Sequence, residues 1–179
     1  DTRRAAPFVV DASGNTTNDS AFFMGCNRGK RSFTVDIANP EGADMIRALA
    51  LQSDVFIENY KVGALKRYGL DYETLRTLNP ALIYCSVTGF GQDGPYADRP
   101  AYDSVLQAMC GLMSTCGQPD GEPGAAPMRS AVPIADIFTG LYAAVAVLAA
   151  VIHQRKTGEG QYIDMAMIDV TTAINGHLA

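Results

Sequence analysis

Residues 54–91 read DVFIENYKVGALKRYGLDYETLRTLNPALIYCSVTGFG, and this stretch decides the fold. "DVFIEN", residues 54–59, is a short apolar run of the kind found in strands buried on both faces. "ALIYCSVTGFG", residues 81–91, is a longer one that ends in glycines. Between them "GALKRYG" and "DYETLRTLN" predict two short helices, the second capped by Asp71. Strand, helices and strand make a βαβ unit, and such units build parallel sheets.

Upstream, "NPEGADMIRALALQS" predicts a helix with Asn39 as its cap and Pro40 at its first position. Met45, Ile46, Leu49 and Leu51 supply its apolar face. The alternating "FTVDI", residues 33–37, predicts another strand, and "DASGNTTNDS", residues 11–20, a loop. Downstream, "AYDSVLQAMCGLMSTC" predicts a helix between two Gly/Pro-rich loops, residues 91–100 and 117–131. "VPIADIFTGLYAAVAVLAAVIHQ", residues 132–154, is a long helix, "YIDMAM" a strand, and a last helix starts near Ile168. No internal repeat is present. The expected class is α/β, a parallel Rossmann-like sheet flanked by helices. Two long loops around one helix are where function is expected.

A chain of 179 residues can hold one domain with a sizeable core. Hydrophobic residues make up 47% and charged residues 18%, which fits a folded globular chain rather than a disordered one. The net charge of −5 argues against nucleic acid or an anionic membrane as partner, so a phosphate-bearing ligand needs locally placed Arg and Lys. Cys26, Cys85, Cys110 and Cys116 lack CxxC or Cys-His spacing. They predict thiols of a reducing, cytoplasmic compartment and no metal site. Residues 138–152 are the one membrane candidate. At about 15 residues they fall short of the roughly 20 that span a bilayer, so a buried core helix is expected. "DTRRAAPFVV" opens without Met and "AINGHLA" stops inside an apolar helix, as an internal piece of a longer chain would.

Motif by motif, the chemistry is sparse. No GxGxxG, P-loop, GxSxG or HExxH occurs. The glycines of "SVTGFGQDGP" let backbone approach a ligand at a strand's carboxyl end, or simply form a tight loop. His153 and His177 have no partners in the pattern. The sharpest feature is Asp136, the single carboxylate of the long apolar helix and close to its head. Two readings are open: an acid that favours the helix's amino end, or a nucleophile.

In conjunction, "NRGKRSFTVDI", residues 54–113, "ADIFTGLYAA" and "RKTGEGQYIDMAMID" resemble the class III CoA-transferases of the CaiB/BaiF type, the family of formyl-CoA transferase and carnitine CoA-transferase. The resemblance implies that residues 1–179 are the central part of that family's large domain, without its first strand region and its carboxyl-terminal part. It implies that Asp136 is the covalent nucleophile, and that Asn59, Tyr60 and Arg67 wall the CoA site. Val35, Asp36, Ile37 and Ala38 match backbone around the adenine. Coenzyme A is then a substrate and no cofactor is needed. The substrates are an acyl-CoA donor such as succinyl-CoA and a small carboxylic acid, and the intact protein is an interlocked homodimer.

Tyr102 separates branches of the family. It precedes Asp103 where the racemase branch carries a His-Asp pair. A racemase needs a tunable base such as His, whereas Tyr, with a pKa near 10, orients a substrate by donating a hydrogen bond. Transfer is therefore favoured over racemisation or a CoA-dependent lyase reaction on the same scaffold. Where formyl-CoA transferase carries a lysine just before this tyrosine, Pro100 and Ala101 stand here, with Arg99 as a substitute cation.

Overall fold

The computed structural model describes residues 2–4 and 6–178. They fall into two compact units, residues 1–35 and 36–179.

In the first unit, β1 (Phe8–Val10) pairs antiparallel with β2 (Thr16–Ser20). The turn between them is held by Asp11, whose carboxylate accepts the Ser13 and Asn15 N–H groups at 2.9 Å. Ser20 then caps α1 (Ala21–Asn27) by accepting the Phe23 N–H. The expected loop at residues 11–20 is thus a turn followed by a strand.

The second unit holds a three-stranded parallel sheet. α2 (Pro40–Leu51) begins as the sequence predicts, with Asn39 Oδ1 accepting the Glu41 N–H and Pro40 in the first turn. β3 (Val55–Glu58), α3 (Tyr72–Leu78) and β4 (Ile83–Thr88) form the βαβ unit, with a 3₁₀ turn at Lys66–Tyr68. α4 (Asp103–Met109), α5 (Ile134–Thr157), β5 (Tyr162–Ala166) and α6 (Met167–Ile174) complete it. The strand order is β3-β4-β5, with β5 parallel to β4.

β4 runs through the middle and its residues alternate between two cores. Leu82, just before it, and Tyr84 face Ala50, Leu65, Leu70 and Leu75 under α2 and α3. Cys85 faces Ala143, Met165 and Val170 under α5 and α6. The buried Tyr84 hydroxyl donates to Leu70 O at 3.0 Å, so its one polar group is satisfied. At the amino end of β4 the chain passes very closely: a Cβ on Gly160 would sit 2.1 Å from Leu82 O.

Three expectations change. The segment at residues 33–37 is not a strand. The Asp36 carboxylate accepts the Ala38 N–H and its carbonyl accepts the Asn39 N–H, making a turn into α2. The helix expected over residues 101–116 breaks at Gly111, whose φ of 77° needs glycine, and resumes as a 3₁₀ turn at Leu112–Thr115. The long helix is not a buried rod. α5 runs for 24 residues, long and apolar enough to cross a membrane, and only 22% of its most apolar window is buried. Its small residues Ala135, Thr139, Ala143 and Ala150 face inward and let it approach the sheet. Leu141, Val145, Leu148 and Ile152 face outward.

Candidate active site

β3 and β4 end at the same edge of the sheet, as parallel strands do, and a cavity of about 600 Å³ opens there. Carboxyl edges of open α/β sheets are where ligands bind. Asn59 and Tyr60 leave β3 into this cavity, Gly89 leaves β4, and Tyr102 and Asp136 reach it from the heads of α4 and α5. Arg99 and Lys61 line it as well and supply its positive charge.

Asp136 occupies the first turn of α5 without capping it. Pro133, the residue before the helix, makes no side-chain cap either. The free amides are satisfied from elsewhere. The Ile134 N–H donates to Val132 O and the Ile137 N–H to Pro133 O. Ala135 and Asp136 donate theirs to Asp103 Oδ1, at 2.8 and 3.4 Å. The Asp136 carboxylate therefore has no hydrogen-bond partner among the described residues and remains open to the cavity. Partial desolvation raises its pKa above the ordinary carboxylate value of 3.8, and the nearby Asp103 carboxylate adds to the rise. Both effects oppose the helix end, which favours the ionised form.

Two residues without an assigned role in the sequence reading shape this edge. Glu58 Oε2 accepts the Tyr60 N–H at 2.7 Å, while the Ser86 hydroxyl donates to Glu58 Oε1 and is itself bonded by Gln92 at 2.9 Å. This chain fixes the backbone that presents Asn59 and Tyr60. Gly89 has no room for a side chain, because a Cβ there would lie 2.1 Å from Ala101 Cβ. Its absence lets the segment leading to Tyr102 lie against the end of β4. A glycine at the end of a predicted strand was the available signal; Glu58 gave none.

The remaining candidates lie elsewhere. Arg67 is exposed in the 3₁₀ turn, its guanidinium 4.6 Å from the Tyr68 ring centre, and does not line the cavity. Val35 belongs to the first unit. Asp36, Ile37 and Ala38 form the turn into α2, where Ile37 packs on the core beneath that helix. His153 and His177 do not line this cavity.

A carboxylate left free at a helix head, facing a cavity with a tyrosine and two cations, suits nucleophilic attack on an activated acyl group. The sequence comparisons agree with that chemistry. Residues 1–178 match CoA-transferase family III, and the chain belongs to that family. It is 51% identical over 174 residues to the succinate–glutarate CoA-transferase of Agrobacterium fabrum, covering 97% of this chain and 42% of that protein. It is 41% identical over 161 residues to the Homo sapiens succinyl-CoA:glutarate CoA-transferase, covering 90% and 36%. The crystal structure of a CaiB/BaiF family protein from Brucella suis superimposes with a TM-score of 0.88 at 46% identity, over 98% of this chain and 45% of that one. The chain thus spans less than half the length of these relatives.

Proposed function

We propose that the intact protein transfers CoA from an acyl-CoA donor to a small carboxylic acid through a covalent intermediate on Asp136. The observation that carries this reading is the uncapped Asp136 carboxylate in the cavity at the carboxyl edge of the sheet. A carboxylate oxygen of Asp136 attacks the thioester carbonyl carbon, and the C–S bond breaks to release CoA thiolate. The thiolate attacks the aspartyl carbonyl of the resulting anhydride, which releases the donor acid and leaves an aspartyl-CoA thioester. The acceptor carboxylate attacks that thioester and expels CoA thiolate again. Thiolate attack on the new acyl carbonyl then forms the product and restores Asp136. Each intermediate keeps the acyl group activated, so the site must exclude water.

Tyr102 donates a hydrogen bond to the acyl oxygen or acceptor carboxylate, and Asn59 and Tyr60 flank the thioester. The pairing of succinyl-CoA with a dicarboxylic acceptor follows from the names of the similar enzymes, and Lys61 and Arg99 suit a second carboxylate. Arg67 and the residue 35–38 segment serve the distal part of CoA. Arg67→Ala is expected to raise the KM for acyl-CoA about tenfold with little change in kcat, as losing one charge-assisted contact to phosphate would.

In this reading coenzyme A is a substrate, and no other cofactor takes part. The intact protein is a homodimer of the cytoplasm. Leu141, Val145, Leu148 and Ile152 form an outward apolar stripe at spacings suited to a packing partner, and all four cysteines are free thiols. The deciding experiment treats the intact protein with succinyl-CoA and then hydroxylamine, followed by peptide mapping. A hydroxamate at Asp136 is expected. Its absence, or a label on another residue, would overturn the covalent reading.

A further inference from the structure

The residue that holds the head of α5 is not on α5. Asp103 stands in the first turn of α4, 32 residues before Ala135, and accepts the Ala135 N–H at 2.8 Å and the Asp136 N–H at 3.4 Å on one oxygen. Its other oxygen accepts a hydrogen bond from Gln107 Nε2 at 2.7 Å, one helical turn along. Gln107 is fully buried, and its Oε1 accepts the Ser130 N–H at 2.9 Å. Ser130 in turn receives the Val132 N–H on its hydroxyl at 3.2 Å. One buried network therefore ties the start of α4, the loop before α5 and the first amides of α5.

We infer that Asp103 is a positioning residue for the transfer reaction: it caps α5 from a neighbouring helix, which frees the Asp136 carboxylate from that task and fixes its direction into the cavity. Gln107 locks Asp103 in place. The inference rests on the reading of Asp136 as nucleophile. The alternative cap was local, since an acid in the first turn can turn back onto helix amides, and an acid so engaged is a poor nucleophile. Asp103 removes that competition because the Ala135 and Asp136 amides already have an acceptor. Its negative charge also makes Asp136 more basic.

The other charged or titratable groups lining the cavity are Glu58 and Lys61 after β3, with Tyr60 between them in space, Asp98 and Arg99 from the loop before α4, and Tyr102 at its head. Among these, Asp103 is the one whose charge raises the pKa of Asp136.

The test uses the intact protein. Asp103→Asn keeps an oxygen for the Ala135 amide, loses the charge and sets an amide against Gln107. The expected result is a kcat reduced at least tenfold, a KM for acyl-CoA within about twofold, and an acidic limb of the kcat–pH profile displaced to lower pH. A purely structural role would not move that limb. Unchanged kcat and an unchanged acidic limb would overturn the inference. If Asp103→Asn does not fold, Asp103→Ser, which offers a neutral capping hydroxyl, carries the same test. Failure of both to fold would make Asp103 a structural residue and overturn its positioning role. Hydroxylamine trapping on the unaltered protein separates the two levels. No label at Asp136 defeats the underlying reading, whereas a label at Asp136 with normal Asp103 variants defeats this inference alone.

Discussion

The heads of α3 and α5 solve the same problem in opposite ways. α3 is capped by its own neighbour: Asp71 accepts the Thr74 N–H at 3.3 Å and the Thr74 hydroxyl at 2.8 Å. α5 also carries an aspartate in its first turn, but its amides are served by Asp103 from α4 and Asp136 is left without a partner. A helix whose work is structural spends its nearest acid on capping. At α5 the acid is withheld, partly desolvated and turned toward a cavity. The difference teaches that an aspartate near a helix head is diagnostic only once the helix amides are accounted for.

The largest expected effect breaks the comparison at α5. Asp136→Asn should lower kcat on the order of 10⁴-fold, the scale of losing a covalent group. It should leave the fold intact and slightly raise thermal stability at neutral pH. Because the folded pKa of Asp136 lies above its unfolded value of 3.8, the folded state holds the proton more tightly and ionisation opposes folding. That penalty is complete above the folded pKa and absent below 3.8. The stability gain of the variant should therefore fade as pH falls through this window. Calorimetry at several pH values, beside steady-state kinetics, checks both halves. A retained turnover, or a loss of stability at neutral pH, would contradict the assignment.

Next come two glycines at opposite ends of the sheet. Gly160→Ala drives a Cβ into Leu82 O, and Gly89→Ala drives one into Ala101 Cβ, both at 2.1 Å before relaxation. Overpacking of this kind costs about 3 kcal/mol at the upper end of its usual range. Gly160 lies away from the cavity, so its variant should lose stability and keep kcat in whatever fraction folds. Gly89 lines the cavity beside the segment that carries Tyr102, so its variant should lose both. Denaturant unfolding and kinetics normalised to folded protein separate them. Equal kcat in the two variants would show that the Gly89–Ala101 contact does not place the site.

Much of this was legible in the sequence, for reasons that differ by element. The β3, α3 and β4 unit was readable because apolar runs, a capping Asp71 and glycines are local signals. The residue 33–37 segment misled because "FTVDI" alternates like a strand while Asp36 bonds its own backbone. The outward face of α5 was hidden because composition cannot tell which side of an apolar helix meets the sheet; alanines do so here. Asp136 could be picked out as an acid in an apolar helix. Its freedom could not, since that depends on an acceptor 32 residues from Ala135. The Asp103/Gln107 pair at i, i+4 on an otherwise apolar short helix was the one available hint.

The smallest effect sharpens the comparison from the α3 side. Asp71→Ala removes an N-cap and should cost about 1 kcal/mol of stability, within the usual range for such caps. Asp71→Asn and Asp71→Ser should restore most of it, because either offers an oxygen to the Thr74 amide. None of the three should alter the acidic limb of the kcat–pH profile, as Asp71 does not line the cavity that Asp136 faces. At Asp103, by contrast, a neutral capping residue restores the bond to the helix and not the charge, so stability returns while the pH profile stays displaced. The contrast is measured by placing Asn at both positions and comparing unfolding midpoints with pH profiles. If Asp71→Asn moves the acidic limb as far as Asp103→Asn does, the two helix heads are electrostatically equivalent and the distinction between them fails.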